Sequence, residues 1–339
     1  MTAVDARTAL AEVEARIHGI VAPTGPHPVQ SEAERAAVGG KLLRPRLLIA
    51  AAGGCADHAA LVSTAAALEL LHVALLVHDD VIDGDLERRG APSIAGAAVT
   101  AATEAGLGAE HAQRLGLTTA VVSGDVLLTR ALAELARLDV PLEVRRAVAD
   151  VVERALVRAA EGEHDDVLLA GGEPDELAIE RVLELKTADY SFRAPLELGA
   201  ILGGREPEAV EALGSIGTRM GVLYQLRDDV LGVFGDEAVT GKSALSDIRA
   251  GAPTMLVLLA RREPEWASVA GLYGRPDADE GDASRIRAVL RGTGALAALE
   301  ARIAEGAAAL RATIAEAPVE QALRDELLTI LTRCVERAR

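Results

Sequence analysis

Aromatic residues are almost missing from this chain: only 2% of its 339 residues are Phe, Trp or Tyr. A core without rings must be filled by Ala, Leu and Val, which favours helices drawn close through small side chains. Cysteine is scarce as well. Cys55 and Cys334 lie far apart and lack metal-ligand spacing, which excludes a thiol metal site and points to a reduced, cytoplasmic protein. Basic residues are in deficit: 52 acidic against 35 basic side chains leave a net charge of −17. Such a surface argues against nucleic acid or anionic membrane as a partner. Strand-like alternation is absent, and so is any repeat of about 20–50 residues.

An uninterrupted membrane span is also lacking. Ala59 to Val77 is apolar and long enough to raise the question. Glu69 and His72 interrupt it, however, and it runs directly into His78-Asp79-Asp80. It reads as a buried core helix, with no stable membrane insertion. Met1 to Ile20 mixes acids and bases, so no signal peptide is expected there.

What is present is helical periodicity. Asp5 to Val21, Ser31 to Val38, Arg46 to Ala52 and Ala59 to Ile82 read as helices, followed by a polar loop from Gly84 to Pro92. Thr118 to Leu138 and Pro141 to Leu169 come next. Glu176 to Gly203 reads as a helix kinked or broken at Pro195, and Pro207 to Val233 as another. Phe234 to Pro253 is expected to be a loop, and Arg275 to Asp282 a surface turn. Thr254 to Arg262, Ala283 to Arg291 and Gly294 to Ala338 close the chain, the last broken near Pro318. The expectation is an all-α protein forming one domain over residues 1–339.

Two acidic clusters carry the chemistry. Asp79, Asp80 and Asp83 end the Ala59–Ile82 helix. Positions i and i+4 share a helix face, so Asp79 and Asp83 point the same way. Crowded carboxylates repel, and oxygen-only ligands suit Mg²⁺, which completes its shell with water and substrate phosphates. Gln225, Asp228 and Asp229 form the second cluster, again after an apolar run. A magnesium–diphosphate site between two helices is the inference. The acidic surface would repel such a substrate. Bound metal and the local bases Arg88 and Arg89 offset that repulsion.

Several further motifs stand in a fixed order around these clusters. They are Gly39-Gly40-Lys41 with Arg44-Pro45, His72 ahead of the first acids, Arg88-Arg89-Gly90, Gly124-Asp125 with Leu127-Leu128, Lys186-Thr187 with Tyr190-Ser191, and Gly241-Lys242. In this set the chain resembles the trans-isoprenyl diphosphate synthases of the polyprenyl synthetase family. The resemblance implies a single-domain bundle of long helices around a deep central cavity, expected as a homodimer. It implies condensation of isopentenyl diphosphate with an allylic diphosphate (dimethylallyl, geranyl or farnesyl), and several Mg²⁺ ions per site. Asp79, Asp80, Asp83, Asp228 and Asp229 are then metal ligands. Arg88, Lys186 and Lys242 meet the allylic diphosphate. Lys41, Arg44, His72 and Arg89 meet isopentenyl diphosphate. Thr187 and Gln225 lie near the developing carbocation, so the catalytic set is Asp79, Asp80, Lys186, Thr187 and Gln225. Ala74, Leu75, Leu71 and Leu68, before Asp79 on the same helix, wall the chain-length pocket. A small Ala74 implies geranylgeranyl diphosphate, or a longer polyprenyl product.

The chain departs from the family pattern at four places. Leu42 replaces an Arg, Gly162-Glu163 replaces a Gly-Gln pair, Gly232 replaces the last Asp of the second acidic motif, and Ala252 replaces a Lys. Asp236, Asp247 or water are the candidates to compensate. A class I terpene cyclase is the rival enzyme, but its Asn-Ser-Glu metal triad has no counterpart, because the chain contains no asparagine. A non-catalytic partner subunit is the rival from another class. The intact Asp79-Asp80-x-x-Asp83 argues against it.

Overall fold

The computed structural model describes residues 6–54, 56–88, 90–235 and 244–336. The chain divides into two compact units, residues 1–152 with 195–210 and residues 153–194 with 211–339. Among the described residues the structure is helical apart from one pair of two-residue antiparallel strands. The all-α expectation holds.

The first unit is assembled on α4 (His58–Asp83), 26 residues long. Asp57 caps its start by accepting from the Ala60 amide at 2.8 Å, as short acidic side chains do at the N-cap. Gly84 ends it in the left-handed region at φ +73°, where only a residue without Cβ sits without strain. Leu61, Leu68, Leu70, Leu71 and Val77 are buried, each contributing roughly 1.5–3 kcal/mol of transfer free energy. Against it pack α1 (Ala6–Val21), α3 (Leu43–Ala52), α5 (Ile94–Glu104) and α6 (Ala109–Ala136); α2 (Pro28–Ala36) packs on α6, and the first part of α7 (Leu142–Ala170) belongs to the same unit. By length and composition α4 and α6 could each cross a membrane, but 72% of the apolar stretch of α4 is buried in the protein, which marks a core helix.

Small residues bring the backbones together, as the scarcity of rings implies. A Cβ on Gly199 of α9 (Ala194–Leu202) would lie 2.2 Å from the Leu48 carbonyl, and one on Gly203 2.3 Å from the Ala52 carbonyl. The sequence pattern predicts no helix over α5, and α6 begins nine residues before the predicted Thr118. The start of α5 is fixed by Ser93, whose hydroxyl accepts from the Gly96 amide and donates to the Asp85 carbonyl.

The second unit holds the rest of α7, α8 (Glu176–Val182), a wide π segment (Leu183–Arg193) and most of α10 (Pro207–Phe234). It continues with α11 (Ala244–Ala250), α12 (Met255–Arg261), α13 (Glu280–Gly292), α14 (Ala295–Glu316) and α15 (Gln321–Val335). The helix does not break at Pro195. It widens beforehand, and the Ala194 amide donates to the Asp189 carbonyl five residues back. The wider turn takes up the strain that proline brings to an α-helix. The surface turn at Arg275–Asp282 ends earlier than the sequence suggested, because Asp279 and Asp282 form a reciprocal capping box that starts α13. The loop expected from Phe234 to Pro253 contains α11. Pro318 separates α14 from α15, as expected.

Candidate active site

In the first unit α4 delivers its three acids at the polar end. Asp80 is buried, Asp79 is half-buried and Asp83 is exposed. Strands β1 (Glu87–Arg88) and β2 (Ala91–Pro92) pair across Gly90, itself at φ +72°. This hairpin turns Arg88 back over the helix end. Its Nε donates to Asp80 Oδ1 at 2.5 Å and its Nη2 to Asp79 Oδ2 at 3.0 Å. Burial pushes the Asp80 carboxyl above the usual carboxylate range, and the neighbouring Arg88 charge only partly offsets it. Burial opposes the Arg88 charge as well, but Asp80 and Asp79 together outweigh it. Beside them His78 Nε2 lies 3.6 Å from Asp125 Oδ1. A Cβ on Gly124 would fall 2.3 Å from that nitrogen, so the Gly124-Asp125 motif makes room for His78 and pairs with it.

The residues assigned to isopentenyl diphosphate lie in the same unit. Lys41 is exposed, while Arg44 in the first turn of α3 and His72 on α4 are half-buried. Glu69 of α4, 4% exposed, reaches the glycine pair. Its Oε1 stands 2.6 Å from where a Gly40 Cβ would be. The sequence had marked Glu69 only as an interruption of an apolar run. Of the four pocket residues, Ala74, Leu71 and Leu68 are buried, and Leu75 alone keeps accessible surface. Arg89 lies outside the described residues, as do Lys242 and Asp236.

In the second unit Lys186 and Thr187 come from the π segment, and Gln225, Asp228 and Asp229 from α10. Thr187 Oγ1 donates to Gln225 Oε1 at 3.3 Å, and Gln225 Nε2 donates to Asp229 Oδ1 at 3.2 Å. Lys186 Nζ donates to Asp166 Oδ2 at 2.7 Å and Glu163 Oε1 at 3.1 Å. The acids nearer in sequence, Glu184 and Asp189, are engaged by Arg158 instead, each at 2.8 Å. Close approach of the two elements needs Gly162, where a Cβ would lie 2.3 Å from the Lys186 amide nitrogen. The Glu163 departure from the family pattern is thus a partner of the site lysine. At Ala252, where the family has Lys, the carbonyl accepts from the Tyr273 hydroxyl at 2.8 Å. The chain has three lysines, Lys41, Lys186 and Lys242, and all three fall on candidate site positions. That scarcity was a usable signal that sequence reading passed over.

Asp229 is 8% exposed, and its Oδ2 is buried with no hydrogen-bond partner. Its carboxyl is pushed up to about 8, first by burial and then by the charges of Asp228, Asp247 and Asp166, while the Gln225 hydrogen bond pulls the other way. Among the described residues no group of three or more His, Cys, Asp or Glu side chains is placed to hold a metal ion by itself. Mg²⁺ does not require one, because it takes one or two carboxylates and completes its shell with water and phosphate oxygens. A buried carboxylate oxygen without a donor fits that chemistry. Asp79 and Asp80 with Asp83, and Asp228 with Asp229, would hold the ions.

The family model for polyprenyl synthetase matches residues 28–290. The geranylfarnesyl diphosphate synthase of Aeropyrum pernix is 30% identical over 300 residues, which cover 86% of this chain and 88% of that protein. The geranylgeranyl diphosphate synthase of Sulfolobus acidocaldarius is 32% identical over 230 residues, covering 65% of this chain and 62% of that one. A crystal structure of geranylgeranyl pyrophosphate synthase from Corynebacterium glutamicum, complexed with isoprenyl diphosphate and magnesium, superposes with a TM-score of 0.88. It is 27% identical, and 98% of each chain is covered.

Proposed function

Because the chain belongs to the polyprenyl synthetase family, we propose that it is a Mg²⁺-dependent trans-prenyltransferase joining isopentenyl diphosphate to an allylic diphosphate. The observation that carries this reading is the Thr187–Gln225–Asp229 relay. It ends on the Asp229 carboxylate, whose other oxygen, Oδ2, is buried with no hydrogen-bond partner.

Mg²⁺, when bound, neutralises the charge that develops on the leaving diphosphate. The chain's own residues do the rest. Arg88 fixes the Asp79 and Asp80 carboxylates and presents a planar guanidinium suited to phosphate oxygens. Lys186, held by Glu163 and Asp166, offers a cation to the allylic diphosphate. Thr187 and Gln225 turn oxygen dipoles toward the carbocation left when the diphosphate departs. Lys41, Arg44, His72 and Arg89 bind isopentenyl diphosphate and orient its double bond for attack. Apolar walls of Ala, Leu and Val keep water from the cation.

The product we favour is geranylgeranyl diphosphate. Leu75 keeps the accessible surface and is the pocket position best placed to meet a growing prenyl chain. The protein acts as a homodimer in this reading. Leu115, Leu117, Val122 and Leu132 of α6 are each at least 40% exposed, an apolar face that a second copy would cover. The test is incubation of the purified chain with Mg²⁺, isopentenyl diphosphate and each of dimethylallyl, geranyl and farnesyl diphosphate, followed by product-length analysis. A twenty-carbon product from all three supports the reading. No condensation with any of them sinks it, and leaves the partner-subunit alternative.

A further inference from the structure

One guanidinium in the second unit reaches two acids that an α-helix would hold apart. Arg158 of α7 donates from Nη2 to Glu184 Oε1 at 2.8 Å, and its Nε lies 2.8 Å from Asp189 Oδ2. Five residues of α-helix turn the chain by about 500°, which would leave Glu184 and Asp189 roughly 140° apart around the axis. A π turn, bonded from i to i+5, brings residues five apart back to one side. The bridge therefore depends on the wide register of Leu183–Arg193.

Pro195 does not explain the whole of that register. Proline disturbs the turn back to the carbonyl four residues before it, here Ser191. The π segment starts at Leu183, well before that point. What lies against it there is one face of α7. Arg154, Arg158, Gly162 and Asp166 are spaced by four and share that face. Arg154 Nε stands 3.9 Å from Asp189 Oδ1. A Cβ on Gly162 would lie 2.3 Å from the Lys186 amide nitrogen, and Asp166 accepts from Lys186 Nζ at 2.7 Å. Asp189 is 2% exposed, and breaking a pair on a buried carboxylate leaves an uncompensated charge. Lys186 and Thr187 stand between the two bridged acids.

We propose that Arg158 is a positioning residue of the transfer reaction. By joining Glu184 to Asp189 it holds the segment in its π register, and so fixes the directions in which Lys186 and Thr187 leave the backbone. This rests on the prenyltransferase reading above, which gives those two residues to the allylic substrate. Without the bridge the segment tightens toward the α register, and Thr187 turns away from Gln225.

The test is Arg158→Gln and Arg158→Lys in the full chain, with Mg²⁺, farnesyl diphosphate and isopentenyl diphosphate. Both variants should lose turnover by about 10²-fold, the order of loss for a reacting group misplaced by about 1 Å. The Michaelis constant for isopentenyl diphosphate should stay where it is. Lysine keeps the charge but offers a single point in place of a fork, so it should not rescue the rate. A spectroscopic readout separates positioning from stability. The chain has three lysines, Lys41, Lys186 and Lys242, so isotope-labelled lysine gives three side-chain magnetic resonance signals, with Lys186 assigned through Lys186→Arg. Arg158→Gln should move the Lys186 signal and leave the other two. An unmoved Lys186 signal overturns the proposal even where the melting temperature falls, and so does unchanged turnover in Arg158→Gln or full activity in Arg158→Lys. Should Arg158→Gln fail to fold, Glu184→Gln removes the more exposed half of the bridge and decides by the same criteria. Wild-type chain that makes no product overturns the prenyltransferase reading, and the Lys186 signal then still decides the positioning.

Discussion

Arg88 Nε donates to Asp80 Oδ1 at 2.5 Å, so the least exposed acid of the first cluster is held by a cation from the adjacent hairpin. In the proposed reaction the pair faces charge that develops as diphosphate leaves. Removing one such contact costs on the order of 10²–10³ in rate. Asp79→Ala and Asp80→Ala should each lose turnover by that factor, with the helical circular dichroism signal retained. A variant that keeps more than about a tenth of the wild-type rate at saturating Mg²⁺ refutes the assignment.

In the proposed reaction Lys186 serves the allylic diphosphate and Lys41 isopentenyl diphosphate. Charge-assisted contacts act on the phosphate they touch. Lys186→Ala should raise the Michaelis constant for the allylic substrate, and Lys41→Ala that for isopentenyl diphosphate. Equal effects of both variants on both constants would refute the partition. Glu163→Gln weakens one of the two ion pairs that hold Lys186, so it should move the allylic constant in the same direction by a smaller factor.

Asp229 sets a pH dependence in the metal-free protein. The unfolded chain ionises it near 3.8, while the fold holds its proton up to about 8. Between those values the folded state binds the extra proton, so each rise in pH costs stability. The contribution is complete below about 4 and gone above about 8. Asp229→Asn cannot ionise. In EDTA its melting temperature should gain on wild type steadily as pH is raised from about 5 to about 8. A difference that does not vary with pH would show that Asp229 is not the group responsible.

Product length should answer to Leu75. Leu75→Phe is expected to shorten the main product and Leu75→Ala to lengthen it. Chromatography of the dephosphorylated alcohols reads the change, and an unmoved distribution in both variants places the floor elsewhere. Ala74 has no exposed surface, so Ala74→Phe should overpack the interior and cost about 1–3 kcal/mol of stability.

Long apolar runs that end in acids were legible in the sequence, because a core helix such as α4 is buried on nearly every side between Ala60 and Leu71. The α4 run into Asp79-Asp80 and the α10 run into Asp228-Asp229 are the clearest cases. The helix over Ile94–Glu104 was not, since Ala, Gly and Thr on every side leave no contrast between faces. Pro195 misled because a widened turn, invisible to any periodicity, absorbs it. Pairings distant in sequence were the main omission. Nothing local says that Lys186 prefers Asp166 over Glu184, or that Asp247 fills the space above Gly232. Both follow from how close two backbones come, which Gly162 and Gly232 permit.

The central claim is transfer between two diphosphates, and diphosphate release tests it most directly. Purified chain with Mg²⁺ and farnesyl diphosphate alone should release almost none. Adding isopentenyl diphosphate should release one inorganic diphosphate for each isopentenyl unit built into product. Release from farnesyl diphosphate alone at a comparable rate, without a dependence on isopentenyl diphosphate, would contradict the account and identify cyclase chemistry instead.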